Sequence, residues 1–401
     1  MMGPMDRPRA HPGRGPQARR APRRDDRTGG ARPRGPARGE VRLIELTFLP
    51  GLGGVLHDEV VERLAPARAP RPAPGRDDAL VVGYDGPLRD VLTLRTAVAA
   101  FLVLRFEVPR PRALTSGDHL ARIVDAMYTS LRVAGSSSFR FEAAGADSTV
   151  FVRLAGLLHE ATGLAYRPDD GELVLRVRRG ARRQDDSDPG WDVLVRLGPR
   201  PLSARRWRVV DFPGAVNATI AAAMVARAGV RADDRVLNLM CGSGTVLVER
   251  LLAGPAAAGV GVDRDPEALA AAGENLHAAG LTRRSRLVRA DATDPGALAD
   301  ALGGTLFDLV LADPPWGTLH GSHPDGPRLH AGLLRAAHAV TAPGARLVVL
   351  THEVRVMDRV VMDAAHLWRP DGDPLRVYAK GHHPRIWLLR RVGGPAAAPL
   401  G

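Results

Sequence analysis

The sequence predicts an α/β fold, in which an open, mostly parallel, doubly wound sheet occupies the C-terminal half and an α+β region precedes it. Two observations support this prediction. From about residue 210, short apolar runs alternate with Ala-rich or Leu-rich segments, which is the pattern of strands joined by crossover helices. Before that point, short strands and helices follow one another without regular alternation.

The predicted C-terminal sheet has five strands with helices between them. The strands are Arg235–Leu239, Ala258–Asp263, Ser285–Ala290, Leu306–Ala312 and Ala345–Thr351, and the helices are residues 245–253, 265–279 and 326–340. Asp265 and Pro266 can begin the second helix as its N-cap and first helical residue, and Gly280 can end it. Ligands of such sheets bind outside the carboxyl ends of the strands, so residues at those ends are the first candidates for a site.

Smaller elements are predicted in the N-terminal half. The predicted strands are Val41–Phe48, Ser138–Glu142 and Glu172–Val177, the predicted helices are Gly54–Leu64, Leu88–Val103, His119–Leu131 and Ser148–Thr162, and Ala65–Asp78 is predicted to be a Pro/Arg-rich loop. In residues 116–180, two helices against short strands indicate an α+β module.

The basic charge is concentrated at the start of the chain. The 401 residues carry a formal net charge of +12, and residues 1–40 alone contain 11 Arg against four acidic residues. This Pro/Gly/Arg-rich arm cannot build a core. It is either a solvated tail or a flexible arm that adds salt-sensitive affinity for a phosphate backbone.

Several classes of protein are disfavoured by what the sequence lacks. A single cysteine, Cys241, excludes an internal disulfide framework and a cysteine-rich zinc site. No apolar stretch reaches the roughly 18 residues of a membrane span, and the N-terminus lacks the apolar core of a secretory signal. Together these observations favour a cytoplasmic protein.

A glycine turn follows the first predicted strand of the C-terminal sheet. Gly242 and Gly244 permit a tight strand-to-helix turn and a close approach of a ligand to the backbone. The N-terminus of the next helix favours a carboxylate or a phosphate. A Gly-x-Gly turn by itself is a weak signal, because many loops contain one.

Acidic residues end the next two strands. Asp263 lies 21 residues after Gly242, where a carboxylate can accept hydrogen bonds from ribose hydroxyls. Asp291 ends the third strand, where it can meet an adenine amino group. Each acid alone could be a helix N-cap or a loop charge, but the three strand ends together predict a nucleoside pocket. Leu247 stands where the dinucleotide pattern Gly-x-Gly-x-x-Gly has its third glycine, which favours S-adenosylmethionine over a nicotinamide dinucleotide.

The tetrapeptide Asp313-Pro314-Pro315-Trp316 follows the fourth strand and contains the only Pro-Pro pair of the sequence. The Asp313 carboxylate and the Pro314 carbonyl could accept the two hydrogens of an exocyclic amine on a nucleobase. Trp316 could stack on that base, which has to leave its helix or stack to enter. Positioning and electrostatic preorganisation would supply most of the rate, and no metal is required. The alternative interpretation is a Pro-rich turn followed by a core Trp.

Residues Val236–Glu249 and Asp313–Gly317 resemble the class I S-adenosylmethionine-dependent methyltransferases that act on exocyclic amines, and Asp211–Ile220 resembles the helix before that fold's first strand. The resemblance implies S-adenosylmethionine as the cofactor. It implies catalytic roles for Asp313, Pro314, Pro315 and Trp316, and cofactor-binding roles for Asn217, Thr219, Asn238, Cys241, Gly242, Ser243, Gly244, Thr245, Asp263, Asp291, Ala292 and Asp313. Cys241 is interpreted as a small packing residue beside the turn rather than a nucleophile.

The sequence departs from the family pattern at two positions. The end of the first strand usually carries Asp or Glu in this family, and here it is Asn238. Most relatives also have Tyr at the end of the tetrapeptide, and here Trp316 keeps the stacking face without the hydroxyl.

The N-terminal half resembles a THUMP domain, an RNA-binding module, in the segments Phe139–Glu142, Arg153–Gly156, Glu160–Gly163 and Asp170–Val177. Leu202–Arg208 is similar to the segment that joins THUMP to its methyltransferase, and residues 41–115 resemble the ferredoxin-like domain that commonly precedes THUMP. The predicted organisation is a disordered basic arm (1–40), a ferredoxin-like domain (41–115), a THUMP domain (116–195), a linker (196–212), a methyltransferase domain (213–392) and a flexible tail (393–401).

These resemblances imply a monomeric, cytoplasmic enzyme that methylates the N2 amine of guanine in structured RNA. The most similar family modifies a guanine at position 6 in the acceptor stem of tRNA, with the tRNA 3′ end held by the THUMP region. One alternative is a 23S rRNA guanine-N2 methyltransferase, and another is an RNA-binding relative that has lost activity, which only Asn238 favours. The THUMP-like half argues against DNA as the substrate, and no membrane partner is expected.

Overall fold

The computed structural model describes residues 40–181, 187–315, 325–379 and 381–393. Three predictions fall outside these residues: the basic arm except for its last residue, the stacking role of Trp316, and the C-terminal tail beyond its first residue. Within the described ranges, no helix combines the length and the apolar character that a membrane crossing requires.

The N-terminal half contributes one mixed sheet of eight strands. These are β1 (Arg42–Thr47), β2 (Arg68–Pro72), β3 (Ala79–Tyr84), β4 (Ala99–Phe106), β5 (Ser138–Glu142), β6 (Ala165–Tyr166), β7 (Leu173–Arg179) and β8 (Trp191–Arg196), with helices α1 (Gly53–Leu64), α2 (Leu88–Val91), α3 (Gly117–Val133) and α4 (Thr149–Thr162). The order across the sheet is β2-β3-β1-β4-β8-β7-β5-β6. Strand β5 runs parallel to β6 and β7, and the other neighbours are antiparallel.

Alternation along β1 gives the sheet two different faces. Ile44 and Leu46 are fully buried in the same core as Leu56 of α1. Glu45 points to the opposite face, because successive side chains of a strand alternate, and it is also fully buried. There it forms an ion pair of 2.5 Å with Arg178 of β7.

The segments predicted as a ferredoxin-like domain and a THUMP domain share this sheet. Strand β4 pairs with β1 on one side and with β8 on the other, so a continuous hydrogen-bond ladder crosses the predicted boundary at residues 115/116. We refer to residues 41–195 as the N-terminal module.

Two predicted elements are wrong, and the first is Leu88–Val103, which is not a helix. The structure has only a single helical turn, Leu88–Val91, followed by the eight-residue strand β4. The apolar run Ala97–Leu104 fits either structure locally, and periodicity cannot separate a short buried strand from a helix. Hydrogen-bond pairing with β1 and β8, which lie far away in the sequence, makes this run a strand rather than a helix. Strand β2 likewise lies within the predicted loop Ala65–Asp78.

The C-terminal half has the predicted doubly wound sheet. Its strands are β9 (Arg235–Leu239), β10 (Ala258–Asp263), β11 (Arg286–Arg289), β12 (Phe307–Ala312), β13 (Thr341–Thr351), β14 (Trp368–Pro370), β15 (Leu375–Arg376) and β16 (Arg385–Arg391), with helices α5 (Ala218–Ala228), α6 (Thr245–Ala253), α7 (Pro266–Ala278), α8 (Pro295–Ala301), α9 (Gly326–Ala339) and α10 (Val354–Asp363). The order is β11-β10-β9-β12-β13-β16-β14, and β15 pairs with β16.

Strands β9 to β13 are parallel to their neighbours, and β16 adds antiparallel to β13. The central strands β9 and β12 are almost wholly buried. Their sequences are therefore nearly continuous apolar runs. Because parallel strands end at the same edge of a sheet, the carboxyl ends of β9, β10, β11 and β12 lie side by side.

Candidate active site

A cavity of about 790 Å³ opens at this edge of the C-terminal sheet. We call it the strand-end cavity. Its volume falls in the range of small-molecule sites, roughly 300–1,000 Å³. Of the predicted site residues, those that line it are Asn217, Asn238, Cys241, Gly242, Ser243, Thr245, Asp263, Asp291, Ala292, Asp313, Pro314 and Pro315. The structure thus brings together residues that are up to about a hundred positions apart in the sequence.

The glycine turn between β9 and α6 has three residues with left-handed backbone: Met240 (φ 50°), Gly242 (φ 52°) and Gly244 (φ 79°). Such angles are easy for glycine and cost a residue with a side chain roughly 1–2 kcal/mol. A Cβ on Gly244 would also lie 3.2 Å from the Cβ of Ala272 in α7. Gly244 therefore shapes the turn without lining the cavity, and the strained Met240 was not singled out from the sequence.

Asp263 ties this turn to the neighbouring strand. Its carboxylate accepts hydrogen bonds from the backbone N–H of Gly242 at 2.8 Å and of Asp265 at 3.0 Å. The Cys241 N–H donates to the Val262 carbonyl at 2.9 Å. Asp263 lines the strand-end cavity as well, so the acid predicted for ribose hydroxyls also holds the glycine turn in place.

Asn238 lies near the end of β9 and is almost fully buried. Its Nδ2 donates to the carbonyls of Leu311 at 3.0 Å and Leu239 at 3.3 Å. Within the part of the chain that the structure describes, its Oδ1 has no hydrogen-bond partner, and the Oγ of Ser243 also has none. Leaving a buried polar atom unpaired costs about 1–3 kcal/mol. Both side chains line the cavity, so both can take up the polar end of a ligand.

Asp291 follows β11 and is held by Thr293. The hydroxyl and the backbone N–H of Thr293 donate to its Oδ1 at 2.7 Å and 2.8 Å. These hydrogen bonds stabilise the charged form of Asp291, and the one from the Thr293 hydroxyl has the largest effect. They therefore hold the pKa of the Asp291 carboxyl below its ordinary value. Asp291 therefore presents an ionised acceptor beside buried Ala292.

Asn217 caps helix α5 at the cavity wall. Its Oδ1 accepts hydrogen bonds from the backbone N–H of Thr219 at 2.8 Å and from the Thr219 hydroxyl at 2.7 Å. Thr219 is fully buried and does not line the cavity. Thr219 lies on the far side of Asn217 from the cavity, and its two hydrogen bonds orient the Asn217 side chain.

Cys241 is buried beside the glycine turn, and burial raises the pKa of its thiol far above the ordinary value. A thiol in that state is a poor nucleophile, because the thiolate is the reactive form. This agrees with the interpretation of Cys241 as a packing residue.

The predicted amine-binding residues follow β12 directly. Asp313 is half-buried, Pro314 is buried and Pro315 is exposed, and all three line the strand-end cavity. Proline fixes φ near −65° and lacks an N–H, so the pair forms a stiff turn. Trp316, the fourth predicted residue, lies outside the described residues.

Two further residues position the glycine turn: Asn275 belongs to no motif, and Arg208 lies in Leu202–Arg208, a segment that the sequence related only to the joining region. Buried Asn275 of α7 donates from Nδ2 to the Ser243 carbonyl at 3.0 Å, and its Oδ1 accepts from the backbone N–H of Val209 and Val210. Arg208 donates to the Thr245 hydroxyl at 2.9 Å. Both connect the segment that joins the two halves of the chain to the glycine turn.

Comparisons with known proteins identify the family of this chain. Residues 205–370 match the sequence family UPF0020, described as an RMKL-like methyltransferase domain. The fold and the site define a class I methyltransferase. The chain is 30% identical to the tRNA (guanine(6)-N2)-methyltransferase of Thermus thermophilus over 269 residues, which cover 64% of this chain and 74% of that enzyme.

Two further comparisons extend this result. The crystal structure of TrmN from Thermus thermophilus superposes with a TM-score of 0.63 at 26% identity, covering 87% of this chain and 99% of that one. The mouse U6 snRNA (guanine-N(2))-methyltransferase THUMPD2 is 30% identical over 203 residues, and the match spans 49% of this chain but only 35% of the mouse protein. The chain belongs to the S-adenosylmethionine-dependent RNA methyltransferases, in the family of the tRNA guanine-N2 methyltransferases.

The cavity residues fit S-adenosylmethionine, the methyl donor of this family. The donor carries an ammonium group, a carboxylate, ribose hydroxyls and an adenine. The unpaired Asn238 Oδ1 can accept from the ammonium group, and the Ser243 hydroxyl can donate to the carboxylate. Asp263 offers acceptors for ribose hydroxyls, and Asp291 offers one for the adenine amine.

We expect Asn238→Ala to weaken S-adenosylmethionine binding by about tenfold or more, because a hydrogen bond to a charged group contributes roughly 1.5–3 kcal/mol. Isothermal titration calorimetry would measure the dissociation constant, and the thermal midpoint of the free protein would verify folding. An unchanged dissociation constant would show that the neutral amide plays no part in holding the donor.

Proposed function

We propose that this enzyme transfers a methyl group from S-adenosylmethionine to the exocyclic N2 of a guanine in tRNA, at position 6 of the acceptor stem. One observation carries the proposal. Asp313, Pro314 and Pro315 line the same cavity as the glycine turn and the acidic strand ends. The proposed binding site for the amine and the proposed pocket for the methyl donor would therefore share one cavity.

The amine of guanine is a poor nucleophile, since its lone pair is delocalised into the ring. The Asp313 carboxylate and the Pro314 carbonyl would accept its two hydrogens and favour a pyramidal nitrogen whose lone pair faces the cavity. S-adenosylmethionine, when bound, would supply an electrophilic methyl carbon on its sulfonium, with S-adenosylhomocysteine as the leaving group when the S–CH3 bond breaks. Asp313 can also accept the proton that the nitrogen loses as it is methylated. Fixed acceptors in a site with little water accelerate such a step without reorganising.

The stiffness of the Pro-Pro turn supports this role. A carbonyl aimed by two prolines moves less than one in a flexible loop, and methyl transfer requires the reacting atoms to be aligned closely. We further propose that Trp316 stacks on the guanine after it leaves the helix.

The N-terminal module would hold the tRNA at a distance from its target base. In this proposal, residues 41–115 act as a ferredoxin-like domain and residues 116–195 as a THUMP domain that binds the 3′ end. Exposed arginines support it, among them Arg132 of α3 and Arg153 of α4, because phosphate contacts by Arg supply most sequence-independent affinity for nucleic acid. We also propose that the enzyme acts as a cytoplasmic monomer.

The proposed function predicts that purified enzyme and labelled S-adenosylmethionine form N2-methylguanosine in unmodified tRNA. Nucleoside mass spectrometry would identify the product, and nuclease mapping would locate it. A matched tRNA with inosine at position 6, which lacks only the exocyclic amine, should receive no methyl group there. Equal methylation of the inosine tRNA would contradict the N2 assignment, and transfer to 23S rRNA but not to tRNA would favour the rRNA alternative.

A further inference from the structure

Tyr378 borders the strand-end cavity but has no assigned role. It lies in the hairpin between β15 and β16, and 38% of its surface is exposed. Aromatic side chains make up only 4% of the sequence. Within the described ranges, Phe212 and Tyr378 are the two that line the cavity.

The strand order places Tyr378 on the side of the cavity that holds Asp313, which we call the acceptor side. The order β11-β10-β9-β12-β13-β16 puts Asp263 and Asp291, at the ends of β10 and β11, on one side of β9. Asp313, at the end of β12, lies on the other side of β9. The hairpin with Tyr378 belongs to β16, two strands beyond β12 in the same direction. The side chain therefore approaches the cavity from the half that holds the amine-binding residues.

Contacts inside the hairpin and a contact with the N-terminal module hold the hairpin in place. The Val377 N–H donates to the Pro384 carbonyl at 3.0 Å, and the rings of Tyr378 and His383 lie 5.4 Å apart. The Tyr378 N–H donates to the carbonyl of Pro50, at 3.0 Å, in the loop between β1 and α1. Contacts on both sides thus fix the backbone of Tyr378.

Gly51 allows the loop between β1 and α1 to lie close against the hairpin. Its φ is 94°, and a Cβ there would lie 2.1 Å from the carbonyl oxygen of Arg376. Real Cβ atoms essentially never approach backbone that closely, so a residue with a side chain would push the loop and the hairpin apart. Leu49, two residues earlier, lines the strand-end cavity itself.

We propose, on the basis of the proposed function, that Tyr378 contacts the acceptor guanine through its ring, and that the loop Leu49–Gly51 of the N-terminal module positions it. An extruded base loses its stacking in the helix, and an aromatic ring restores part of that loss. The module that would bind RNA therefore also completes the wall of the acceptor site.

Tyr378→Ala and Tyr378→Phe test the stacking contact. Alanine should lower kcat/KM for tRNA by about 5- to 150-fold, the range that removal of one base-stacking aromatic produces. Phenylalanine keeps the ring and should stay within about threefold of wild type. The dissociation constant for S-adenosylmethionine should not change. A clear loss of donor affinity in Tyr378→Ala would place the ring on the donor instead and would overturn the proposal.

A tRNA without a base at the target position separates stacking from a structural effect. Wild type and Tyr378→Ala should bind this abasic tRNA equally, because there is no base to stack, whereas tRNA with guanine should bind the variant more weakly. Equal weakening for both tRNAs would contradict direct base contact. If wild-type enzyme failed to methylate tRNA at all, the proposed function would fail, whatever the two variants did.

Gly51→Ala tests the positioning by the N-terminal module, and Gly75→Ala is its matched control. Gly75 lies in the same module with φ 70°, but a Cβ there would meet nothing within 4 Å. Both variants carry similar backbone strain, so only Gly51→Ala should lower kcat/KM toward the value of Tyr378→Ala. Equal activity of the two variants, at matched thermal midpoints, would refute the positioning role.

Discussion

Asp313→Ala is expected to reduce kcat for methyl transfer by about 10²–10³-fold or more, the loss found when one preorganised charge-stabilising group is removed from an active site. The side chain follows β12 and lines the strand-end cavity, where it would accept a hydrogen from the guanine amine. Affinity for S-adenosylmethionine and for tRNA should remain close to wild type, because the glycine turn and the N-terminal module are unaltered. Single-turnover assays at saturating donor would measure the chemical step.

Asp313→Asn refines this test, because the amide keeps one acceptor oxygen but loses the charge. We expect its rate to lie between those of wild type and Asp313→Ala. Asp308→Asn is the matched control: Asp308 lies on β12, the strand that Asp313 follows, where it pairs with Arg235 at 3.1 Å and does not line the cavity. Wild-type turnover in Asp313→Ala would refute the assigned role.

Glu249→Ala is expected to lower the free energy of unfolding by about 3–5 kcal/mol, the cost of breaking a buried ion pair by removing one partner. Glu249 of α6 is fully buried. Its carboxylate accepts from Arg95 of the N-terminal module at 2.5 Å and from Arg205 of the joining segment at 2.8 Å. Burial lowers the pKa of Arg95, and Glu249 opposes this shift. Without the carboxylate, two guanidinium groups would remain largely buried without their charge partner.

The denaturant midpoint of the variant, compared with wild type, measures this effect. Glu274→Ala serves as the control, because Glu274 is exposed on the neighbouring helix α7, and substitutions at exposed sites usually change stability by less than about 0.5 kcal/mol. Equal midpoints for Glu249→Ala and Glu274→Ala would show that the buried contact does not stabilise the fold.

The contacts of Glu249 also join the two halves of the chain. Helix α6 begins at Thr245, directly after the glycine turn, and Glu249 lies one turn later. The N-terminal module is thus joined to the cofactor side through Arg95 and to the acceptor side through Pro50 and Gly51. In the proposed function, both contacts connect the RNA-binding module to the strand-end cavity.

Local signals were strong enough to predict much of the site. Glycine adopts a positive φ without strain, as at Gly242 and Gly244, and a Pro-Pro pair after a strand is a stiff turn in almost any context. Both kinds of signal depend on backbone geometry within a few residues. The predicted acids Asp263 and Asp291 follow from the same logic, because Asp263 is the last residue of β10 and Asp291 lies just after β11 in a regularly alternating sheet.

Other features have no local signal. The orientation of Asn238 depends on the Leu311 carbonyl of a strand more than 70 residues away. Asn275 reaches both the glycine turn and the joining segment only because helix α7 packs between them. Tyr378 lies in a hairpin whose place beside the cavity depends on the position of β16 in the sheet. The sequence showed none of these contacts, because each joins residues that are distant along the chain.

The sequence by itself determined the doubly wound C-terminal sheet, the glycine turn, the acids at or just after two strand ends and the Pro-Pro turn that follows β12, because regular alternation and backbone chemistry are local properties. Only the tertiary structure decided that Leu88–Val103 contains a strand, that the N-terminal module is one continuous sheet, and that its loop Leu49–Gly51 reaches the strand-end cavity. Strand pairing and packing between distant segments decide those features, and a short apolar run is compatible with more than one such partner.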